Sequence, residues 1–264
     1  TGYLQFAGET IRVLDTKKEN DLVIHVVERL PDYMQDPTVH CVVNERKRRL
    51  TESNHSATHL LHAALRKVLG THVQQKGSYL DDQTLRFDFA HFQKVTDEEI
   101  AQIEKIVNEK IRQDVPLEES RKLPIEEAKK SGAMMLFGEK YGETVRMITF
   151  DPTYSRELCG GCHVRSTGNI GYFKIVSEGA VAAGVRRIEA LTAEGAEKYV
   201  SDLQQDVAAI RTFVKGKDLV KAVADLYEDY RRLQKEIEKL VQEQASGLRE
   251  GLRGQARDVN GIKL

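Results

Sequence analysis

The chain has 264 residues, enough for one large domain or two smaller ones, with 40% hydrophobic and 31% charged residues. Its net charge of −1 gives no chain-wide signal for nucleic-acid binding, and no apolar run is long enough to span a membrane. Three cysteines, few and odd in number, argue against a disulfide framework and point to a reducing compartment, so a cytoplasmic location is expected.

Residues 1–45 read as short β segments: Tyr3–Phe6, Thr10–Leu14, Leu22–Val27 and Val39–Val43, rich in Val and Ile between polar turns. Thr1 falls inside this β region without an initiator Met, which reads as a boundary within a longer chain. Next comes a basic run, Arg46-Lys47-Arg48-Arg49, matched later by Arg186-Arg187. On charge alone, a solvated face and an RNA contact fit these runs equally well.

Residues 46–192 read as an α+β domain. The first predicted helix covers His55–Leu69, with Leu60, Leu61, Ala64, Leu65 and Val68 on one face. His55, His59 and His62 fall opposite, on a face expected to line a cleft. Strands are predicted at Ser78–Leu80 and Thr84–Phe89. A helix is expected over Asp97–Asp114, capped by Thr96, with Ile100, Ile103, Ile106, Val107 and Ile111 on one face. Pro124–Ser131 reads as a short helix stopped at Gly132. Strands come next at Val145–Phe150, Asn169–Ser177 and Val185–Ala190, punctuated by glycines.

Two half-motifs in this domain carry chemistry, His55-Ser-Ala-Thr-His59 and Cys159-Gly-Gly-Cys162-His163. Each sets two ligand-type side chains four residues apart. Together, His55, His59, Cys159 and His163 offer three imidazoles and a thiolate, a set that suits tetrahedral Zn²⁺. His62 has the right face but the wrong spacing, which makes it an outer support or a solvated residue. A zinc-protease reading fails because Ser56 stands where that chemistry needs Glu. The second half also spells C-x-x-C-H, which can attach c-type haem or serve thiol redox chemistry through Cys159 and Cys162. That reading leaves the upstream histidines unexplained.

Beyond residue 193 the pattern changes. Val200, Leu203, Val207, Ile210 and Val214 step by three and four, and the pattern breaks at Lys215-Gly216-Lys217-Asp218. Leu219, Val223, Leu226, Tyr230, Leu233, Ile237 and Leu240 then resume it. This spacing predicts an antiparallel coiled-coil hairpin over 193–253, ended by Gly247, Gly251 and Gly254. Asp258–Leu264 reads as the first strand of a further domain that begins near residue 254.

The runs His55–Leu65, Gly70–Ser78, Leu85–Phe89, Cys159–His163, Thr167–Gly171 and Gly184–Ala190 together resemble the alanyl-tRNA synthetase family closely. They occur in the family's order and span its editing domain. The hairpin and the terminal segment resemble the region C-terminal to that domain in the full synthetase. The resemblance implies a fragment: a partial β-barrel-like domain at 1–45, the zinc-containing editing (deacylase) domain at 46–192, the hairpin linker, and the start of a truncated C-terminal domain. It places the metal ligands on His55, His59, Cys159 and His163, and an editing-pocket glutamine on Gln75. Cys159 thereby doubles as a candidate catalytic residue. Cys162 departs from the family, which usually has Thr there; a second thiol could compete for the metal or oxidise with Cys159.

The implied reaction is hydrolysis of the ester of serine or glycine on tRNA(Ala). The full-length protein would attach alanine with ATP, and is free to self-associate. A stand-alone editing protein and a zinc-stabilised tRNA-binding module without catalysis are the neighbouring alternatives.

Overall fold

The computed structural model describes residues 1–6, 8–20, 22–32, 38–135, 141–214, 216–255, 258–259 and 262–263. They fall into two compact units, Thr1–Val200 and Ser201–Leu264. No helix among the described residues is long and apolar enough to cross a membrane.

The first unit opens with an antiparallel sheet. Its strands are β1 (Gly2–Gln5), β2 (Thr10–Glu19), β3 (Leu22–Val27) and β4 (His40–Val43), in the order β3-β2-β1-β4. Ile11 and Val13 of β2 are its buried hydrophobic residues among those described.

Asn44 then starts α1 (Glu45–Leu69) by accepting the Lys47 N–H at 3.0 Å. The helix therefore begins well before His55, and the basic run lies in its first turns. Each of those cations has a carboxylate: Arg46–Glu194, Lys47–Asp82 at 3.2 Å, Arg48–Glu52 and Arg49–Glu45 at 3.1 Å. Arg186 and Arg187 are likewise paired, with Glu178 and Asp88.

A second antiparallel sheet packs on α1. It contains β5 (Gln75–Leu80), β6 (Leu85–Ala90), β10 (Phe173–Ala182) and β11 (Val185–Thr192), ordered β10-β11-β6-β5. Helix α2 (Asp97–Arg112) starts with the expected cap, a reciprocal pair between Thr96 and Glu99. A third sheet, β7-β8-β9 (Glu118–Pro124, Thr144–Phe150, Ser155–Leu158), carries the short helix α3 (Ile125–Lys130). The pattern predicted neither β7 nor β9. The segment at Thr167–Ile170, whose end was expected as strand from Asn169, is a 3-10 turn; Gly171, at φ 78°, separates it from β10.

The core gathers Leu60, Leu61, Leu65, Phe87, Phe89, Ile103, Ile148, Phe150 and Phe173 around α1. Asn108 satisfies the backbone at the head of β10: its Nδ2 donates to the Phe173 carbonyl at 2.8 Å and its Oδ1 accepts the Phe173 N–H at 3.0 Å.

The remaining helices are α4 (Ala193–Phe213) and α5 (Leu219–Gln255). The two helices end and begin on either side of the predicted break, of which Lys215 lies outside the described residues. Val200, Val214 and Leu219 are half-buried, but the other heptad residues are open to solvent, from 42% exposure at Val207 to 60% at Ile237. Heptad spacing reports an apolar stripe and is silent on what covers it. Helix α5 also runs through Gly247, Gly251 and Gly254, because a helical glycine costs only about 1 kcal/mol against alanine. Two short strands, β12 (Asp258–Val259) and β13 (Ile262–Lys263), stand in the expected terminal strand; Asn260, Gly261 and Leu264 lie outside the described residues.

Asp151 ties α2 to the end of β8. It adopts φ 64°, accepts from Lys110 Nζ at 2.7 Å, and accepts the Thr153 N–H and hydroxyl at 2.9 and 2.7 Å. The Lys110 and Thr153 donors hold its carboxyl down at about 2. A carboxyl depressed in the folded state stabilises above its unfolded pKa and loses that contribution as pH falls toward 2. Asp151→Asn keeps a residue type that tolerates positive φ but removes the charge. The urea midpoint of this variant is therefore expected to fall less between pH 4 and pH 2 than that of the parent.

Candidate metal centre and adjoining cavity

Helix α1 is buried on nearly all sides along its middle turns, because α2, the Thr167–Ile170 turn and the second sheet pack against it and β9 with the loop after it covers the histidine side. His59 and His62 are 4% and 1% exposed. His59 and His62 are thus enclosed and His55 is half-buried, where the helical pattern suggested a face lining an open cleft.

His55, His59, Cys159 and His163 converge, with one ligand atom from each lying within 4.8 Å of all the others. Their ring centroids are 4.3 Å apart for His55 and His163, 4.6 Å for His59 and His163, and 5.3 Å for His55 and His59. Cys159 Sγ lies 3.4 Å from both His55 Nε2 and His163 Nε2. Burial pushes all three imidazole pKa values down, to about 3 for His59 and about 2 for His163. The rings are therefore neutral at physiological pH, with a lone pair free for a metal. Burial raises the Cys159 thiol, against which the Gly161 N–H, 3.4 Å from the sulfur, favours the thiolate.

Neighbouring residues set these side chains in place. Ser56 Oγ accepts the Val164 N–H at 3.1 Å and lies 3.2 Å from His163 Nδ1. With Nε2 turned to the cluster, Nδ1 carries the proton and donates to Ser56, which fixes ring and tautomer. Arg146 Nη1 donates to the Cys159 carbonyl at 3.0 Å and also to the Gly161 carbonyl, clamping the loop. Glu157, buried at 7% exposure, contacts His62 Nδ1 at 3.2 Å and stands 3.8 Å from His59 Nδ1. Sequence reading missed Glu157 and Arg146. The signal for Glu157 was its position two residues before Cys159, on the same side of an extended segment. His62 is an outer support, not a solvated residue.

Cys162 stands outside the four-residue group, facing Arg48 and Glu52, and all three cysteines are free. Gln75 begins β5 and its Nε2 donates to Ser78 Oγ at 3.1 Å. It does not line the cavity that adjoins His163. That cavity, about 720 Å³, is lined by Arg48, Arg121, Arg146, Glu119, the Gly160–His163 segment and Leu117.

Gly161 is dictated by the site. A Cβ there would lie 1.9 Å from the His55 ring, whereas one at Gly160 meets nothing within 4 Å. Gly161→Ala is expected to displace His55 and weaken metal uptake at least about tenfold, in the range seen for disturbed ligand supports. Gly160→Ala is expected to keep it. Chelator-competition titration of the two variants makes the comparison.

The matched family model is described as the threonyl and alanyl tRNA synthetase second additional domain, and it covers residues 145–189. Over its full length the chain is 56% identical to the alanine–tRNA ligase of Cytophaga hutchinsonii and 50% identical to that of Bacteroides thetaiotaomicron. It is 47% identical to that of Flavobacterium psychrophilum over 98% of its length. The chain spans about 30% of the length of these curated relatives.

Proposed function

The chain is a segment of the alanine–tRNA ligase family, matched over its own full length to about 30% of the length of its relatives; on that premise we propose that it is the editing part, hydrolysing serine or glycine from mischarged tRNA(Ala) in the cytoplasm. The convergence of His55, His59, Cys159 and His163 beside the cavity at Gly160–His163 is the observation that carries this reading. The full-length protein would join alanine to the same tRNA at the expense of ATP.

Zn²⁺ fits the donor set. Tetrahedral ligands at zinc bond lengths lie roughly 3.3–3.8 Å from one another, and Cys159 Sγ is 3.4 Å from the Nε2 atoms of His55 and His163. Four protein ligands close the sphere, which suits an ion that shapes the Cys159–His163 loop; release of one ligand would open a Lewis-acid position.

The chain's own groups then bind and orient the ester. Gly160 and Gly161 leave the cavity wall without side chains, so a small aminoacyl group can lie against the backbone. Arg146 fixes the course of the Gly160–Gly161 backbone by donating to the carbonyls of Cys159 and Gly161. Gln75, assigned through the family likeness, lies on β5 outside this cavity with its amide on Ser78 Oγ, so it takes no part in holding the ester there, and an amide is no strong base in any case.

Elemental analysis is expected to find about one zinc per chain, lost in Cys159→Ala and retained in Cys162→Ala. Loss in Cys162→Ala alone would reassign the thiol.

Selectivity tests the activity. A pocket that pairs the serine hydroxyl leaves polar groups unsatisfied with alanine, and such sites discriminate by about 10⁴–10⁵. Glycine lacks that hydroxyl, so its removal must rest on size, with weaker discrimination. Seryl-tRNA is expected to be deacylated at least about a hundredfold faster than alanyl-tRNA. Equal rates would rule out a selective editing site.

A further inference from the structure

The cavity beside His163 has a neighbour of about 620 Å³, whose lining includes Glu45, Arg48, Arg49, Glu52 and Arg165. Arg48 lines both. Across the two cavities five arginines face three glutamates, in a chain whose net charge is −1. The positive charge is therefore local, and it lies beside the four-residue group. Low-dielectric walls around such a patch concentrate its field toward an entering anion.

Four of the five arginines are already engaged. Arg48 and Arg49 pair with Glu52 and Glu45, and Glu119 is shared between Arg121 and Arg146. Arg165 is different: among the described residues its guanidinium has no ion pair and no hydrogen bond. It is nevertheless held in place from its backbone. The Leu117 N–H donates to the Arg165 carbonyl at 2.9 Å, and the chain immediately before it is fixed by Ser56 at Val164. An exposed, unpaired guanidinium two residues from His163 is a donor fork without an acceptor, and its geometry matches a phosphate.

We propose that Arg165 binds a backbone phosphate of the single-stranded 3′ end of tRNA, seating the terminal ribose toward His163. This rests on the editing function proposed above and adds the residue that holds the polyanionic part of the substrate. An amino-acid ester alone carries no such charge; the phosphates that precede the terminal ribose do.

The test is binding of uncharged tRNA bearing the alanine anticodon, intact or trimmed of its single-stranded 3′ nucleotides. It uses the zinc-loaded chain and its Arg165→Gln and Arg165→Lys variants over a salt series, with zinc content confirming the fold of each. Loss of one single-strand phosphate contact lowers the slope of log affinity against log salt by about 0.7. Arg165→Gln is expected to show that change on intact tRNA, with about three- to tenfold weaker binding at 0.1 M salt. It is expected to bind trimmed tRNA as the parent does, and Arg165→Lys is expected to retain the parent's slope on intact tRNA. An unchanged slope in Arg165→Gln overturns the proposal, as does an equal loss on intact and trimmed tRNA. A parent chain that binds neither RNA overturns the functional reading itself.

Discussion

The enclosure of α1 is the constraint on which the rest of this structure depends. A helix with one apolar stripe needs one covering layer, but α1 is covered on both flanks, and its polar flank carries His55, Ser56, His59 and His62. Burying imidazoles costs free energy unless each finds a partner. β9 and the loop after it supply most of those partners: Glu157 to His62, Cys159 to His55, and His163, which itself bonds Ser56 of α1, while His59 Nδ1 has Glu157 only at 3.8 Å. The third sheet therefore acts as the lid of a polar compartment, and the Cys159–His163 loop has one permitted course across α1.

That course explains the electrostatics of the centre. Three rings packed in contact cannot all be charged, and desolvation keeps them neutral. A cluster of neutral imidazoles around a thiol is unfavourable by itself but is ready for a cation, so metal uptake would be coupled to loss of the thiol proton. Arg146 stands at the boundary. It draws two loop carbonyls toward itself and lends its charge to the cavity outside, so one side chain links the shape of the centre to the field at its mouth.

The cavities show how a nearly neutral chain presents a basic surface. Arg48, Arg121, Arg146 and Arg165 come from α1, β7, β8 and the loop after the centre. Elsewhere, cations meet carboxylates closely, as in the forked Arg187–Asp88 pair at 2.7 and 2.8 Å. Local excess over pairing, rather than total charge, is what distinguishes this face.

The sequence by itself marked the two halves of the four-residue group, because two ligand types four residues apart lie on one face of a helix or one side of a tight loop, whereas their meeting is a tertiary fact. It also determined α2, whose cap and apolar stripe are local features, and the break between α4 and α5. It did not reveal where α1 starts, since the signal was the side chain of Asn44 and the charged run behind it masked the helix. It did not reveal β7, whose polar sequence Glu-Glu-Ser-Arg-Lys-Leu-Pro is a strand only because β8 offers it a ladder. Tertiary structure alone decided that Glu157 supports the histidines, that Gly161 admits the His55 ring, and that Arg165 stands unpaired among the described residues beside the centre. Each of these depends on groups distant in sequence meeting in space, and periodicity along one segment carries no information about what another segment brings to it.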